Sequence, residues 1–223
     1  MAIVKEQYFS PSSIDVTAQK LLESAEKSTR KRPIISTMEQ SALLVLDMQE
    51  YFLSDQSHAF VPSATAILPK VNALIKVYTH SGLPVILTRH INTPQNAGLM
   101  AVWWKDILSA DMNLSRIAPR IDQQEAIVIS KTRYDAFIYS PLEAILKKRK
   151  IRQVVICGVM THLCCETTAR SAFMRGYEVF FTVDGTATYN EAFHSAALLN
   201  LAHGFATPVL ADTIISIVER KSG

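Results

Sequence analysis

The sequence predicts an α/β protein: a doubly wound sheet of six mainly parallel strands with helices on both faces. Three observations lead there. Six short β-branched apolar runs recur from residue 42 onward, and longer segments with apolar residues at three- and four-residue spacing separate them. The runs themselves are almost continuously apolar, the pattern of strands buried on both faces.

The predicted strands are ALLVLD (42–47), PVILTR (84–89), AIVIS (126–130), QVVICGV (153–159), EVFFTVD (178–184) and TPVLAD (207–212). The helices are TAILPKVNALIKVYTHSG (65–82), SPLEAILKKRK (140–150), CCETTARSAFMRG (164–176) and NEAFHSAALLNLAHG (190–204), with Gly82, Gly176 and Gly204 as C-terminal stops. Residues 1–38 form an N-terminal arm in which SSIDVTAQKLLESAEK suits one amphipathic helix, packed on the domain or on a neighbour. Residues 39–223 read as one domain, because 223 residues at 48% hydrophobic composition bury a sizeable core and no composition shift divides them.

The net charge of +3 is small, and its basic excess sits in the short runs KSTRKRP (27–33) and KKRKIR (147–152). Such runs suit solvated faces and helix C-termini, so no nucleic-acid partner is expected. No stretch of about 18 uncharged apolar residues suggests a membrane span, and MAIVKEQYFS does not resemble a signal peptide. The three cysteines, two of them adjacent, fit a reducing cytoplasm better than a disulfide framework.

In a doubly wound sheet the site lies at the carboxyl ends of the strands. Asp47, then Arg89 and His90, then Lys131, then the segment His162 to Cys165 fall at four such ends; Asp184 ends the fifth strand and either joins them or begins a turn. Cys164 sits at or near a helix N-terminus, where the dipole and unpaired N–H groups lower a thiol pKa and supply donors for an oxyanion. Cys157 lies within a strand, and Cys165, turned about 100° around the helix, packs against the sheet. A buried lysine needs a carboxylate, so Lys131 and Asp47 form either a salt bridge or, with Cys164, a triad of charge partner, acid/base and nucleophile.

LLVLDMQEYF, KTRYDAF and GVMTHLCCETTARSAFMRGYEVFFTVDGTAT, in this order over residues 41 to 212, resemble the motif blocks of the isochorismatase-like, or cysteine hydrolase, superfamily. The resemblance implies a six-stranded parallel α/β fold, with Asp47 as general acid/base, Lys131 as the lysine beside it and Cys164 as nucleophile. It also implies a cis peptide between Val159 and Met160, which aims the N–H of Met160, with that of Cys164, at the oxyanion. Family habit implies a homo-oligomer, a dimer or tetramer, acting on a small molecule.

Two branches of the superfamily are matched. Amidohydrolases form a thioester on the cysteine; isochorismatases cleave a vinyl ether with the aspartate as acid, and resemble this chain in the arm and in KTRYDAFIYSPLE (131–143) but carry glycine where Cys164 stands. Vinyl ether hydrolysis has no use for a thiolate, so Cys164 favours a small amide or acyl substrate. The isochorismatase reading and a non-catalytic binding module on the same fold are the alternatives. No cofactor is called for. Metal-dependent nicotinamidases use an Asp-x-His pair plus another histidine, whereas Asp55, His58 and His90 have other spacing, and no metal is expected. Phe52, Trp103 and Trp104 are expected as an apolar wall, with His90, Arg133 and Tyr134 beside it. Arg89 or Arg133 suits a substrate carboxylate, and His162 is expected to brace the turn.

Overall fold

The computed structural model describes residues 4–27, 37–104 and 106–220. Most of the basic run at 27–33 lies outside them. The elements follow in chain order: α1 Ile14–Glu26, β1 Ser41–Leu46, α2 Glu50–Leu53, α3 Ala64–His80, β2 Val85–His90, α4 Leu99–Trp104, β3 Ile127–Lys131, α5 Leu142–Lys148, β4 Gln153–Val159, a π-helical turn Thr161–Cys165, α6 Glu166–Met174, β5 Glu178–Ala187, α7 Glu191–Gly204, β6 Thr207–Val209 and α8 Ala211–Glu219. All six strands are parallel, in the order β3-β2-β1-β4-β5-β6. The chain winds outward from β1 to β3 and then returns to β4 beside β1. Right-handed crossovers in the two directions place helices on opposite faces, and the crevice opens where the direction reverses.

The central strands are apolar because both faces are covered: every residue of β1 is buried. The edge strand β3 differs. Val128 and Ser130 are exposed while Ile129 and Lys131 are buried, so its alternation aims Lys131 inward. β5 runs beyond the predicted end at Asp184, whose carboxylate instead accepts the Ala211 N–H at 2.7 Å and lies 3.7 Å from Lys70 Nζ. Asp184 therefore ties β5 to α8 and Lys70. Gly82 and Gly176 have left-handed backbones (φ +67° and +86°), as stops require, but Gly204 is simply the last residue of α7 and Phe205 turns the chain (φ −137°).

In the arm, Ile14, Ala18, Leu21 and Ala25 form the buried stripe of α1, which packs on α7, and Phe9 joins the same core. Asp15 pairs with Lys70 of α3 at 3.1 Å.

Gly158 governs how closely the two central strands meet. Its φ is +110°, and a Cβ there would stand 2.1 Å from the carbonyl oxygen of Leu46, its partner on β1. Gly158→Ala is expected to cost about 3 kcal/mol or more, from left-handed strain plus a clash with immovable backbone. Thermal or urea unfolding measures it; a loss under about 1 kcal/mol would show that β1 and β4 separate freely.

Candidate active site

The site begins with a backbone turn. Immediately after β1, Asp47 adopts φ +51°, a conformation few residues other than glycine, asparagine and aspartate enter, and its side chain points into the crevice with no solvent exposure. Thr88 of β2 donates its hydroxyl to Asp47 Oδ1 at 2.6 Å and accepts the Asp47 N–H at 3.0 Å. From β3, two strand spacings or about 10 Å away, the long arm of Lys131 brings Nζ to 2.8 Å from Asp47 Oδ2. Lys131, also fully buried, further donates to the Arg133 carbonyl at 2.8 Å and approaches Cys164 Sγ at 3.3 Å.

Cys164 arrives from the other side of the crevice. The chain leaves β4 through a cis peptide between Val159 and Met160 and enters the π-helical turn, a rare form that is frequent at functional sites. The Leu163 and Cys165 N–H groups both reach the Met160 carbonyl, at 3.0 and 3.2 Å. The helical path thus starts at Thr161, three residues before its predicted start. Cys164 keeps 5% exposure, with its sulfur on the ammonium that pairs with Asp47, while Cys157 and Cys165 are wholly buried.

Electrostatics make the three groups one unit. Burial is the largest influence on Asp47 and works against its charged form, but the Lys131 ammonium and the other groups around the carboxyl together hold it below its usual range. Lys131 likewise overcomes its own burial through Asp47 and titrates above the usual lysine value. The Cys164 thiol is pushed up, first by burial and then by Asp47, with Lys131 opposing. This corrects the helix-terminus expectation: the burial of the sulfur, with the Asp47 charge beside it, raises the thiol, and the resting residue is protonated.

Above the thiol lies an aromatic cavity walled by Tyr51, Phe52, Trp104, Tyr134, Met160 and Leu163, with His90, Asn92 and Asp106 also reaching it. Trp104 Nε1–H donates to Tyr134 Oη at 2.9 Å, whereas Trp103 is 79% exposed and forms no part of the wall. His90 bonds Asn92 at 2.7 Å through Nε2, and burial, reinforced by Lys131, lowers its pKa to about 4. Neither arginine lines the cavity. Arg89 alternates away from His90 and donates to the Ser115 and Ala110 carbonyls at 2.7 and 2.6 Å; Arg133 donates to those of Asn96 and Thr132 at 2.7 and 2.8 Å. Loop carbonyls claimed both guanidiniums. His162 braces the turn, bonding Thr188 Oγ1 at 2.6 Å and stacking on Phe193.

Sequence reasoning missed Tyr51, Asp106 and Gln49. Gln49 crosslinks the ends of β1 and β2, accepting the His90 N–H at 2.7 Å and donating to the Ser115 carbonyl at 2.7 Å. Its place in LDMQ was the available signal. The residues tested for a metal do not fit one. His58 bonds Asp106, Asp55 accepts from Gln56 and His90 bonds Asn92, and among the described residues no three His, Cys, Asp or Glu side chains converge on an ion.

A buried acid–lysine–thiol cluster under an aromatic cavity, on a doubly wound sheet, defines a class of hydrolytic enzyme. Residues 41–213 match the isochorismatase domain family. The chain belongs to that family and is a hydrolase. It is 39% identical over 191 residues to Nicotinamidase 3 of Arabidopsis thaliana, covering 83% of this chain and 91% of that protein. It is 28% identical over 181 residues to enterobactin synthase component B of Escherichia coli (strain K12), covering 79% of this chain but only 63% of that longer protein. Its fold resembles the crystal structure of a cysteine hydrolase from Pseudomonas syringae pv. phaseolicola 1448A (TM-score 0.80, 23% identity, 85% and 96% covered).

The histidines around the site set an acid limit on stability. His90 and His162 titrate near 4 and His194, behind the turn, near 3, all lowered chiefly by burial from an ordinary 6.5. Between those values the unfolded chain binds more protons than the folded one, so stability is complete above about pH 6.5 and falls as the pH drops toward 4, by up to about 1.4 kcal/mol per pH unit for each histidine. Melting temperatures between pH 8 and 4.5 should decline only below about 6.5; a flat profile would contradict neutral, buried imidazoles.

Proposed function

We propose that this hydrolase cleaves a small, planar primary amide of the nicotinamide type through a thioester on Cys164. The observation that carries the reading is a thiol 3.3 Å from a lysine that is itself paired with a buried aspartate, at the floor of an aromatic cavity. The likeness to Nicotinamidase 3 supports it.

Asp47 takes the Cys164 proton as sulfur attacks the amide carbon, and the N–H groups of Met160 and Cys164 receive the carbonyl oxygen's charge. Collapse breaks the C–N bond, and Asp47 passes the proton to the nitrogen, which leaves as ammonia. Asp47 then deprotonates water for attack on the thioester, returning the thiol and releasing the carboxylic acid. Lys131 stays charged throughout and keeps the aspartate ionised whenever it must accept. His90, Phe52, Trp104 and Tyr134 hold the ring of the substrate, while Arg89 and Arg133 fix loops. Isochorismate, a dicarboxylate, would meet no cation among the described wall residues.

Three coarser expectations join the proposal. The arm at 1–38 precedes a catalytic domain at 39–223, a division supported by a family match beginning at 41. A homo-oligomer is supported by Leu99, Val102 and Trp103, exposed on α4, and a reducing compartment by three buried free cysteines.

Ammonia release from nicotinamide and benzamide tests the chemistry. Cys164→Ser and Asp47→Asn are each expected to lower kcat by about 10³-fold or more. Unchanged turnover in Cys164→Ala, or pyruvate release from isochorismate that survives it, would overturn the thioester reading.

A further inference from the structure

Asp106 is a carboxylate of the cavity wall that the chemistry above leaves unused. It is not a stray surface acid. Tyr51 donates its hydroxyl to Oδ1 at 2.8 Å, His58 Nε2 lies 2.8 Å from Oδ2, and Tyr51 and His58 are themselves 2.9 Å apart. Tyr51 is 5% exposed and packs edge-on against both Phe52 and His58. Burial and the neighbouring carboxylate keep its phenol protonated well above the ordinary range, so it remains a donor. The Asp106 side chain is 36% exposed, fixed on one side and open on the other.

Among the described residues that line the cavity no lysine or arginine faces it, and His58, outside that lining, is its one ion-pair contact. Asp47 and Lys131 neutralise each other beneath the thiol, and His90 is uncharged above about pH 4. The guanidiniums of Arg89 and Arg133 are spent on backbone carbonyls outside the cavity.

We propose that Asp106 is a specificity-determining residue: a fixed negative charge at the cavity that admits neutral and cationic amides and turns away molecules carrying a carboxylate. This rests on the amide-hydrolase reading and deepens it. The same charge assists the end of the reaction, because hydrolysis converts a neutral amide into a carboxylate that Asp106 repels.

The test compares benzamide, 3-(aminomethyl)benzamide and 3-carbamoylbenzoate by ammonia release at pH 8, together with calorimetric titration of benzoate, which needs no turnover. Wild-type kcat/KM should be at least tenfold higher for the neutral and cationic amides than for the anionic one. Asp106→Asn should shrink that ratio about tenfold and tighten benzoate by a similar factor. Tyr51→Phe, which keeps the charge, should preserve the ratio. Added salt should tighten benzoate on the wild type but not on Asp106→Asn, which tests the charge without relying on any variant's kinetics. A ratio and a benzoate affinity indifferent to both Asp106→Asn and salt would overturn the proposal. Failure of the wild type to release ammonia from any amide would instead defeat the amide reading, with the benzoate titrations still deciding whether Asp106 repels acids.

Discussion

A carboxylate and an ammonium, 2.8 Å apart and wholly removed from water, are the constraint on which the rest of the structure depends. Either charge alone would be untenable at that depth, and removing one partner of such a pair costs about 3–5 kcal/mol. The pair therefore fixes where three strands end. β1 delivers Asp47, β3 delivers Lys131, and β2 between them supplies Thr88 to orient the carboxylate and His90 to crowd the lysine. A thiol brought to this pair feels both ends: the aspartate discourages its ionisation and the lysine favours it. That balance suits the nucleophile proposed here, which would surrender its proton only as it attacks.

Much of the remaining fold serves to hold Cys164 against the pair. Gly158 lets β4 press on β1, and the π-helical turn gathers two N–H groups on one carbonyl. Behind the turn, Thr161 and His162 are braced by His194 and Thr188. Tyr8 of the arm joins them, bonding His194 Nδ1 at 2.8 Å and accepting the Thr188 N–H at 2.9 Å. The N-terminal segment thus reaches the support of the candidate nucleophile although it precedes the family match. The KTRYDAFIYSPLE block is largely scaffold in the same sense: Asp135 caps Phe137 N–H and takes the Ser171 hydroxyl, and Leu142 is buried.

The sheet and the placement of Asp47, Lys131 and Cys164 were legible because apolar runs mark strands and polar residues at their ends stand out. What the sequence concealed was settled by tertiary partners. Arg89 and Arg133 read as anion receptors until loop carbonyls claimed them, and Trp103 and Trp104 are equivalent on paper, but Trp103 is exposed while Trp104 lines the cavity. Tyr51 and Asp106 are distant in sequence and meet only through the fold. The direction of the Cys164 shift also reversed, since a helix terminus is visible in sequence whereas the depth of its burial is not.

On the thioester mechanism proposed above, Cys164 becomes covalently acylated above the Asp47–Lys131 pair. Rapid-quench mass spectrometry of the intact protein during turnover of an aromatic amide tests it most directly. A transient adduct with the mass of the acyl group is expected, mapped to the peptide containing Cys164 and discharged by hydroxylamine. Turnover at full rate with no adduct at any quench time, or with an adduct on another residue, would contradict it.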